Sequence, residues 1–373
     1  MKIAFCLYKF FPYGGLQRDF LHVVKECLKR NYEVIIYVMS WEGEKPSGVN
    51  IIKVPKKGFT NHTRNTNYYK WVSQDLKTRA VDCVFGFNKM PGLDIYYAAD
   101  VCFAAKKRGR LTKLLPRYQH YSAFENAVFS PEYKTLLLML TDKQIEDFKS
   151  IYHTQDSRFK LLPPGIALDR KWNEKSEEIR HKFRTEHNLS DQNIVIVQIG
   201  SDYTRKGVDR SLRAIASLPE SIRKNIIYYV IGQDKIEKFS ELAKKLHIEE
   251  QVSFLGSRDD VNIFLASADL FLHPARQEAA GIVLIEAIVA GVPSIITDIC
   301  GYSSYITDSN SGIVLSSPFS QIDFNLALEK ILTDVDALKD FRNNAIEFSN
   351  SHDLYSLPAQ VVNYIEDYVN DRV

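Results

Sequence analysis

The sequence has 373 residues, 45% of them hydrophobic and 12% aromatic, and its formal net charge is +2. This length favours two domains, and the apolar content is enough for two packed cores, which excludes a largely disordered chain. A net charge so close to zero gives no reason to expect nucleic acid as a partner. The distribution of the charges along the chain is therefore more informative than their sum.

The N-terminus begins with Met1 and Lys2, and the apolar run that follows stops at Lys9. Because no small-residue cleavage site follows, the run indicates a first buried strand and not a signal peptide. No stretch of 18 uninterrupted apolar residues occurs, so no membrane span is predicted. The cysteines form no Cys-x-x-Cys pair, which is typical of reduced, buried thiols in the cytoplasm. They are Cys6, Cys27, Cys83, Cys102 and Cys300.

Short apolar runs alternate with amphipathic stretches along the whole chain. Strands are predicted at residues 3–8, 33–38, 51–54, 81–85, 95–98, 135–140, 159–162, 194–199, 226–231, 252–254, 270–272, 294–297 and 312–314. Helices are predicted between them, at residues 16–29, 66–78, 142–152, 210–218, 237–246 and 281–290. This alternation predicts an α/β protein with parallel sheets that carry helices on both faces.

A domain boundary is predicted at Leu162-Pro163-Pro164-Gly165, where two prolines and a glycine end a strand. A polar stretch then runs to about Glu186. The predicted domains are residues 1–165 and residues 166–353, each of ordinary domain size. The last segment, 354–373, has helical periodicity and is free to pack on either domain, including back on the first.

The strongest signal for a functional site runs from Glu278 through Gly281 to Glu286. The helix that starts at Gly281 is apolar on nearly every face and should be buried, so a carboxylate within it needs a partner. A ribose diol offers two hydroxyl donors to Glu286, and the amides at the helix start suit oxygens of a sugar or phosphate. The alternative is that Glu286 pairs with a basic core residue and Glu278 only complements the helix dipole.

A second signal follows the predicted strand 194–199, where Gly200 leads into Arg205, Lys206 and Gly207. We expect the two cations at the start of a helix, where they oppose the helix dipole. An anion lodged between them would remove this conflict, and a diphosphate has the matching charge. A solvated basic turn is the alternative.

Paired glycines, Gly14 and Gly15, follow the first predicted strand and open a helix that contains Asp19. Paired glycines allow a ligand to approach the backbone, and helix amides favour phosphate. The spacing is neither Gly-x-Gly-x-x-Gly nor that of a P-loop, so nicotinamide and P-loop sites lack their fingerprints. Asp19 lies about one turn inside the helix and would face a cleft, unless it only complements the helix dipole.

A segment from Phe103 to Phe124, which we name the basic segment, contains cations and no acidic residue. Apolar residues recur between the cations at helical spacing, and Pro116 divides the segment into two short pieces. Such a segment can lie on an anionic membrane surface, contact a phosphorylated acceptor, or form an ordinary solvated helix. Its cations are Lys106, Lys107, Arg108, Arg110, Lys113 and Arg117.

Asp334-Val335-Asp336 matches the Asp-x-Asp pattern of metal-dependent sugar transferases. It lies between helical segments, however, so Asp334 is predicted to be a helix cap. The sequence contains no His-Glu-x-x-His motif, no Gly-x-Ser-x-Gly motif and no histidine cluster with metal-ligand spacing. It therefore predicts no metal site and gives no support to a metalloprotease or a serine hydrolase.

Taken together, these motifs resemble the retaining GT-B glycosyltransferases, whose mark is two glutamates separated by seven residues, here Glu278 and Glu286. Several stretches more narrowly resemble the glucosyltransferases that build the lipopolysaccharide core of Gram-negative bacteria. These stretches read FCLYKFFPYGGLQRDF, GFNKMPGLD, LTDKQIEDF, LPPGIALDR, RKGVDRS and HPARQEAAGIVLIEA. The implied fold is two Rossmann-like domains that face each other across a deep cleft.

The resemblance implies a reaction and a place for it. Glucose would pass from UDP-glucose to an inner-core heptose of lipopolysaccharide, forming an α-1,3 bond with retention and without a metal. The enzyme would be peripheral on the cytoplasmic face of the inner membrane, with the basic segment at the anionic lipid surface. The basic segment is slightly shorter than the resemblance leads us to expect, and the oligomeric state of the protein is not specified.

The resemblance also implies roles for residues at matching positions. Glu286 would hold the ribose of UDP, while Arg205 and Lys206 would hold the diphosphate. The hydroxyls of the donor glucose would meet Glu278 and the amides at the helix start. These amides belong to Ala280, Gly281 and Ile282, with Val283 beside them.

The same resemblance places further residues around the cleft. Gly15 would approach the phosphate from the opposite domain, and Asp19 and Arg170 would line the cleft. Arg258 would lie near the uracil, and Asp100 would contact the donor sugar or the acceptor. His120 is a further candidate, although the sequence does not predict its surroundings. The candidate catalytic groups are Glu278, Asp100, Lys206 and Arg205.

Two other functions share parts of this pattern. A UDP-sugar epimerase has the same two-domain architecture but works without an acceptor. A non-enzymatic protein that binds lipid surfaces through the basic segment would have no affinity for UDP.

Overall fold

The computed structural model describes residues 1–12, 14–106 and 109–372, and at Arg110 it describes the backbone only. Contacts within the chain divide it into two units. The first unit comprises Met1–Gly165 and Ser356–Val373, and the second comprises Ile166–Tyr355.

The first unit is built on a parallel sheet. Its strands are β1 (Lys2–Cys6), β2 (Lys9–Phe10), β3 (Glu33–Val38), β4 (Ser40–Trp41), β5 (Val49–Lys53), β6 (Cys83–Gly86), β7 (Ile95–Ala98), β8 (Leu136–Met139) and β9 (Phe159–Leu161). Its helices are α1 (Gly15–Lys29), α2 (Asn61–Leu76), α3 (Pro116–Phe129), α4 (Asp142–Tyr152) and a C-terminal helix (Leu357–Asn370). The sheet order is β5-β3-β1-β6-β7-β8-β9, and β2 pairs separately with β4.

The central strands of this sheet are apolar after their first residue, as expected where helices cover both faces. In β1 and β3, for example, nearly every residue is buried. The C-terminal helix packs against α1, where Arg30 Nη1 lies 2.8 Å from Glu366 Oε1. Thr60 begins α2 with a reciprocal capping box, and Thr141 caps α4 through its hydroxyl.

The second unit repeats the architecture with a different set of elements. Its strands are β10 (Ile194–Ile199), β11 (Ile226–Ile231), β12 (Val252–Gly256), β13 (Leu270–His273), β14 (Ser294–Thr297) and β15 (Gly312–Leu315). Its helices are α5 (Glu174–Glu186), α6 (Tyr203–Lys206), α7 (Val208–Ser217), α8 (Glu220–Arg223), α9 (Glu237–Lys245), α10 (Val261–Ser267), α11 (Ile282–Val289), α12 (Ser303–Asp308), α13 (Gln321–Thr333) and α14 (Val335–Ser351). The parallel sheet has the order β12-β11-β10-β13-β14-β15.

Each sheet has one place where the strand order reverses. In the first unit it lies between β1 and β6, and in the second between β10 and β13. Connections leave these neighbouring strands in opposite directions, so a crevice opens outside their carboxyl ends. Ligand sites in open α/β sheets occur at such a crevice. The residues that follow these four strands are therefore candidates for a ligand site.

The two parallel sheets confirm the predicted α/β fold class with two Rossmann-like parts. The buried helix predicted from Gly281 is present as α11, and Gly291 follows it at a φ of +65° as expected of a C-terminal stop. Asp334 caps α14 by accepting a hydrogen bond from the Ala337 amide, which confirms its prediction as a cap. The five cysteines are buried free thiols, also as predicted.

The polar stretch before Glu186 contains the helix α5, which Asn173 caps with a reciprocal capping box. Arg205 and Lys206 end the short helix α6, and Gly207 directly after them is the N-cap of α7. The two cations therefore lie at the start of a helix, as predicted.

Gly207 separates α6 from α7 in a left-handed conformation, with φ of +74°. A Cβ atom at this position would lie 2.1 Å from the carbonyl oxygen of Pro274. Gly256 has a similar φ of +65°, but a Cβ atom there would meet nothing within 4 Å. Comparing the two positions separates the cost of backbone conformation from the cost of overlap.

We predict that Gly256→Ala lowers the free energy of unfolding by about 1 kcal/mol, the cost of a left-handed non-glycine residue. Gly207→Ala should lower it by roughly a further 1–3 kcal/mol, because the Pro274 peptide has to move. Urea titration of both variants followed by circular dichroism measures the difference. Equal costs at the two positions would contradict the packing described for Gly207.

Candidate active site

The reversal point of the second sheet gathers a cluster of polar side chains. Lys206 follows β10, His273 ends the adjacent strand β13, and Glu278 lies between β13 and α11. The His273 and Lys206 side chains are 0% and 9% exposed, and that of Glu278 is 11% exposed. We name these three residues with Arg205 the carboxylate cluster.

Glu278 is the centre of this cluster. Lys206 Nζ forms an ion pair with its Oε2, Arg205 Nη1 lies 3.4 Å from the same oxygen, and His273 Nε2 also lies 3.4 Å away. Its Oε1 accepts a hydrogen bond of 3.2 Å from the Ala279 amide. Burial alone would raise the pKa of Glu278, but the adjoining His273 ring and the charge of Lys206 outweigh burial and hold the pKa below its usual range.

His273 is the residue of this cluster that the sequence interpretation missed. Burial and the neighbouring charge of Lys206 lower the pKa of His273 to about 4, so the ring is neutral at pH 7. Neither of its ring nitrogens, Nδ1 and Nε2, has a hydrogen-bond partner in the described part of the chain. The available signal was a histidine at the carboxyl end of an apolar strand, next to a proline and five residues before Glu278.

A buried hydrogen-bond network fixes the backbone of Lys206. The side-chain amide of Gln198 in β10 donates to the Lys206 carbonyl oxygen at 2.8 Å. Ser211 and Tyr228 both donate hydroxyl hydrogen bonds to Gln198 Oε1. Gly200 leaves room for the lysine chain, since a Cβ atom there would lie 2.8 Å from Lys206 Cε. The solvated-turn alternative is therefore wrong for Lys206, while Arg205 remains half-exposed.

The start of α11 lies directly after Glu278. Gly281 caps the helix at a φ of +86°, so a side chain there would be strained. Within the described residues, the amides of Gly281, Ile282 and Val283 make no backbone hydrogen bond. The carbonyl of Ala280 accepts from the Tyr302 amide at 2.8 Å, which fixes this turn. These amides are thus available to oxygens of a ligand next to Glu278.

Glu286 lies one helical turn further along α11, and it is 3% exposed. Arg170 Nη1 lies 2.8 Å from Glu286 Oε1. A small cavity of about 30 Å³ adjoins this pair. The ion pair with a basic residue, which the sequence analysis left open as an alternative, is therefore present, and a role in binding ribose would have to include Arg170.

Arg258 lies apart from the carboxylate cluster, in the segment after β12. Its Nε and Nη2 donate to the carboxylate of Asp260 at 2.7 and 2.6 Å, and its guanidinium lies over the Phe264 ring at 4.9 Å. No contact links Arg258 to the carboxylate cluster in the described ranges. The structure thus brings together Arg205, Lys206 and Glu278 but not Arg258.

The first unit has a larger cavity, of about 520 Å³, at the reversal point of its own sheet. Asp100 and His120 line it, whereas Gly15 and Asp19 do not. Gly15 is exposed at the start of α1, and Asp19 is buried and accepts a 2.8 Å hydrogen bond from the Tyr97 hydroxyl.

The basic segment contributes to the same cavity. It contains a 3-10 helix, Arg110–Leu114, followed by α3, in which Pro116 is the first residue. Lys106 and Arg117 line the cavity, and Leu111 and Leu114 are exposed. The predicted cations Lys107 and Arg108, together with the side chain of Arg110, lie outside the described residues.

Comparison with known proteins then decides the family. The chain is 50% identical over 368 residues to the lipopolysaccharide glucosyltransferase WaaG of Escherichia coli strain K12, and the match covers 98% of both chains. The model of the family "glycosyl transferases group 1" matches residues 179–348. The chain belongs to the group 1 glycosyltransferases. The family resemblance stated from the sequence is confirmed, and the protein is a hexosyltransferase.

Solved structures agree with this family. A crystal structure of WaaG, a glycosyltransferase involved in lipopolysaccharide biosynthesis, has a TM-score of 0.93 at 50% identity and covers 97% of this chain and 99% of that one. Anabaena Alr3699/HepE in complex with UDP and glucose has a TM-score of 0.76 at 16% identity, covering 98% of this chain and 100% of that one. At that identity the second likeness shows the fold alone, which is GT-B.

Within the described residues, no group of three or more His, Cys, Asp or Glu side chains lies where it could hold a metal ion. None of the described helices combines the length and the apolar character that crossing a membrane requires.

The neutral His273 makes the stability of this glycosyltransferase depend on pH. An unfolded histidine has a pKa near 6.5. Between pH 6.5 and 4 the unfolded chain binds a proton that the folded chain does not bind, so stability falls as the pH falls. His273→Gln should reduce by about 3 kcal/mol the free energy of unfolding that is lost on acidification. His181→Gln removes an exposed imidazole of the same unit and should leave this loss unchanged.

Urea titrations of both variants and the unchanged protein at pH 7, 6, 5 and 4.5 measure this effect. His120 in the first unit has its pKa lowered to about 4 as well, but it is present in all three proteins and cancels in the comparison. An unchanged pH dependence in His273→Gln would show that the His273 ring is charged or accessible in the folded chain.

Proposed function

We propose that this glycosyltransferase transfers glucose from UDP-glucose to an inner-core heptose of lipopolysaccharide, forming an α-1,3 bond with retention. The observation that carries the proposal is the carboxylate cluster, in which two cations meet one carboxylate beside the open amides of α11. The 50% identity to a lipopolysaccharide glucosyltransferase over 98% of the chain supports the same acceptor class and the same donor sugar.

Lys206 and Arg205 would bind the diphosphate of the donor. A diphosphate needs positive charge and hydrogen-bond donors, and both residues bring them to the reversal point of the sheet. In the described structure the carboxylate of Glu278 already contacts both cations. The diphosphate would therefore have to displace this carboxylate or share the cations with it. His273, whose Nε2 lies 3.4 Å from Glu278 Oε2, would then donate a hydrogen bond to Glu278.

Glu278 would turn toward the glucose hydroxyls, with the amides of Ala280, Gly281, Ile282 and Val283 beside it. In the same donor site Glu286, together with Arg170, would meet the ribose. Three further contacts belong to the proposal. They are Arg258 near the uracil, and Gly15 and Asp19 of the first unit near the phosphate.

The chemistry follows from these placements. The bond between the anomeric carbon and the diphosphate oxygen breaks, and its electron pair stays on UDP, whose charge Arg205 and Lys206 stabilise without a metal. The anomeric carbon becomes oxocarbenium-like, and the acceptor hydroxyl attacks from the same face. The acceptor proton passes to a phosphate oxygen of the departing UDP. Asp100 lines the cavity of the first unit and would position the acceptor.

The proposal places the enzyme on the cytoplasmic face of the inner membrane as a peripheral protein. The support is the basic segment, in which Leu111, Leu114 and Leu115 are 82%, 69% and 54% exposed. Three exposed leucines among cations form a surface that suits an anionic bilayer, since apolar contact and charge attraction add.

We predict that Lys206→Ala and Glu286→Gln each lower the rate of glucose transfer by on the order of 100-fold, because each removes a contact to the donor. Arg213→Ala, which removes an exposed cation of the neighbouring helix α7, should leave the rate unchanged. The assay measures transfer from UDP-glucose to a truncated lipopolysaccharide that ends at the inner-core heptoses. Near-normal turnover of folded Lys206→Ala and Glu286→Gln would overturn the site assignment.

A different change separates UDP binding from transfer. Glu278→Gln removes the charge that competes with the diphosphate for Lys206 and Arg205, so UDP should bind about tenfold more tightly while transfer falls. Glu278→Asp keeps the charge and should keep the affinity for UDP. Calorimetric titration with UDP, with transfer rates measured in parallel, tests both variants. Weaker UDP binding to Glu278→Gln would contradict the proposed competition.

A further inference from the structure

The 520 Å³ cavity of the first unit has a strongly uneven charge. Among the described residues, its lining includes five cationic side chains and one carboxylate, that of Asp100. The cavity opens outside the carboxyl ends of β1 and β6, where the strand order reverses. The five cations are Lys9, Arg64, Lys89, Lys106 and Arg117.

One of these cations is neutralised within the protein. Lys89 forms an ion pair with Glu125, whose side chain is fully buried. Glu125 also accepts hydrogen bonds from the amides of Phe103 and Ala104, at 2.8 and 3.0 Å, and from the Tyr152 hydroxyl at 2.9 Å. Glu125 therefore fixes the start of the basic segment and has no charge left for the other cations.

The remaining four cations have no such partner. Among the residues that the structure describes, Lys9, Arg64, Lys106 and Arg117 form no ion pair. Arg64 is half-buried, and its Nε donates to the Gly58 carbonyl at 2.8 Å, which holds the guanidinium in place. Four cations in one concavity repel each other unless an anion joins them.

His120 adds a neutral polar group to this lining. Burial lowers the pKa of His120 to about 4, and its Nδ1 lies 3.0 Å from the Thr66 hydroxyl. Its buried Nε2 has no hydrogen-bond partner in the described part of the chain. A buried ring nitrogen without a partner is costly, so a hydroxyl of a bound sugar would stabilise it. The cavity thus combines donors for an anion with a site for a sugar hydroxyl.

We propose that this cavity binds an acidic substituent of the acceptor glycan, a phosphate or a carboxylate carried near the sugar that receives glucose. The inference rests on the proposed function in one respect, that the acceptor is a glycan. Arg64 and Arg117 supply planar donors that match either anion, and Lys106 adds charge. The cavity then selects acceptors that carry a negative charge and disfavours neutral glycans.

Direct binding to the full-length protein tests this without any transfer reaction. The probes are mannose 6-phosphate, mannuronate and mannose, followed by saturation-transfer nuclear magnetic resonance. We expect at least one anionic probe to bind about tenfold more tightly than mannose, and its affinity to fall about tenfold in Arg64→Gln and Lys106→Gln. Lys70→Gln, an exposed cation on the same helix as Arg64, should leave binding unchanged. Equal binding of all three probes would overturn the proposal.

Transfer kinetics then identify the source of the negative charge. Truncated lipopolysaccharide is used untreated, after removal of phosphate with hydrofluoric acid, and after reduction of its carboxyl groups. For the unchanged enzyme, KM for the acceptor should rise about tenfold when the recognised anion is lost. In Arg64→Gln the same loss should have little further effect, because the two changes remove one interaction.

These measurements distinguish a failure of the cavity proposal from a failure of the proposed function. If Arg64→Gln raises KM equally for untreated and stripped acceptors, the anion is not what Arg64 binds, and the proposal is wrong. KM for UDP-glucose should be unchanged in Arg64→Gln, since Arg64 is not among the residues proposed to bind the donor. A protein that binds the anionic sugar but neither binds UDP nor transfers glucose would refute the proposed function and leave this cavity assignment supported.

Discussion

A carboxylate that is almost completely removed from water has to be neutralised, and Glu278 imposes that constraint on the second unit. Lys206 and Arg205 supply the neutralising charges, and the His273 ring lies beside the same oxygen. Lys206 can do so only because Gln198 holds its backbone and Gly200 leaves space for its chain. The strand order, the left-handed glycine and the buried amide network around β10 therefore all serve the position of one charged oxygen.

This constraint explains why the same residues suit a charged ligand. A lysine buried beside a glutamate is held in one geometry before any ligand arrives, so a diphosphate meets a preformed cation and little ordering is needed. The competing carboxylate limits how tightly the cation binds phosphate alone. In the proposed reaction Glu278 binds the glucose. Once the glucose has left the site, Glu278 again competes with the diphosphate for the cation, and this competition favours release of UDP. The His273 ring lies beside the carboxylate, and its neutrality avoids adding a third cation.

The sequence predicted the sheets and α11 because long apolar runs and their spacing determine them locally. It also indicated Glu278, Glu286 and Lys206 as site residues, since buried charges stand out in apolar surroundings. It did not predict that Lys206 closes the helix α6, because a four-residue helix depends on the Asp202 cap and Gly207 in three dimensions. His273 was missed for a related reason. A histidine at a strand end has no distinctive spacing, and only the sheet order places it opposite Glu278.

The two units treat buried charge in opposite ways. In the second unit one carboxylate is shared by two cations and a histidine, so the site is close to neutral before a ligand binds. In the first unit Glu125 is also buried, but its carboxylate pairs with Lys89 and accepts hydrogen bonds from the backbone of the basic segment. Neutralising the other cations that line the cavity then requires an external anion. A donor site that is nearly neutral has to be specific through geometry, whereas a cationic acceptor cavity can attract its ligand over a distance of about a Debye length. For an enzyme whose proposed acceptor is held in a membrane, attraction of that kind would orient the glycan before the reacting hydroxyl reaches the donor.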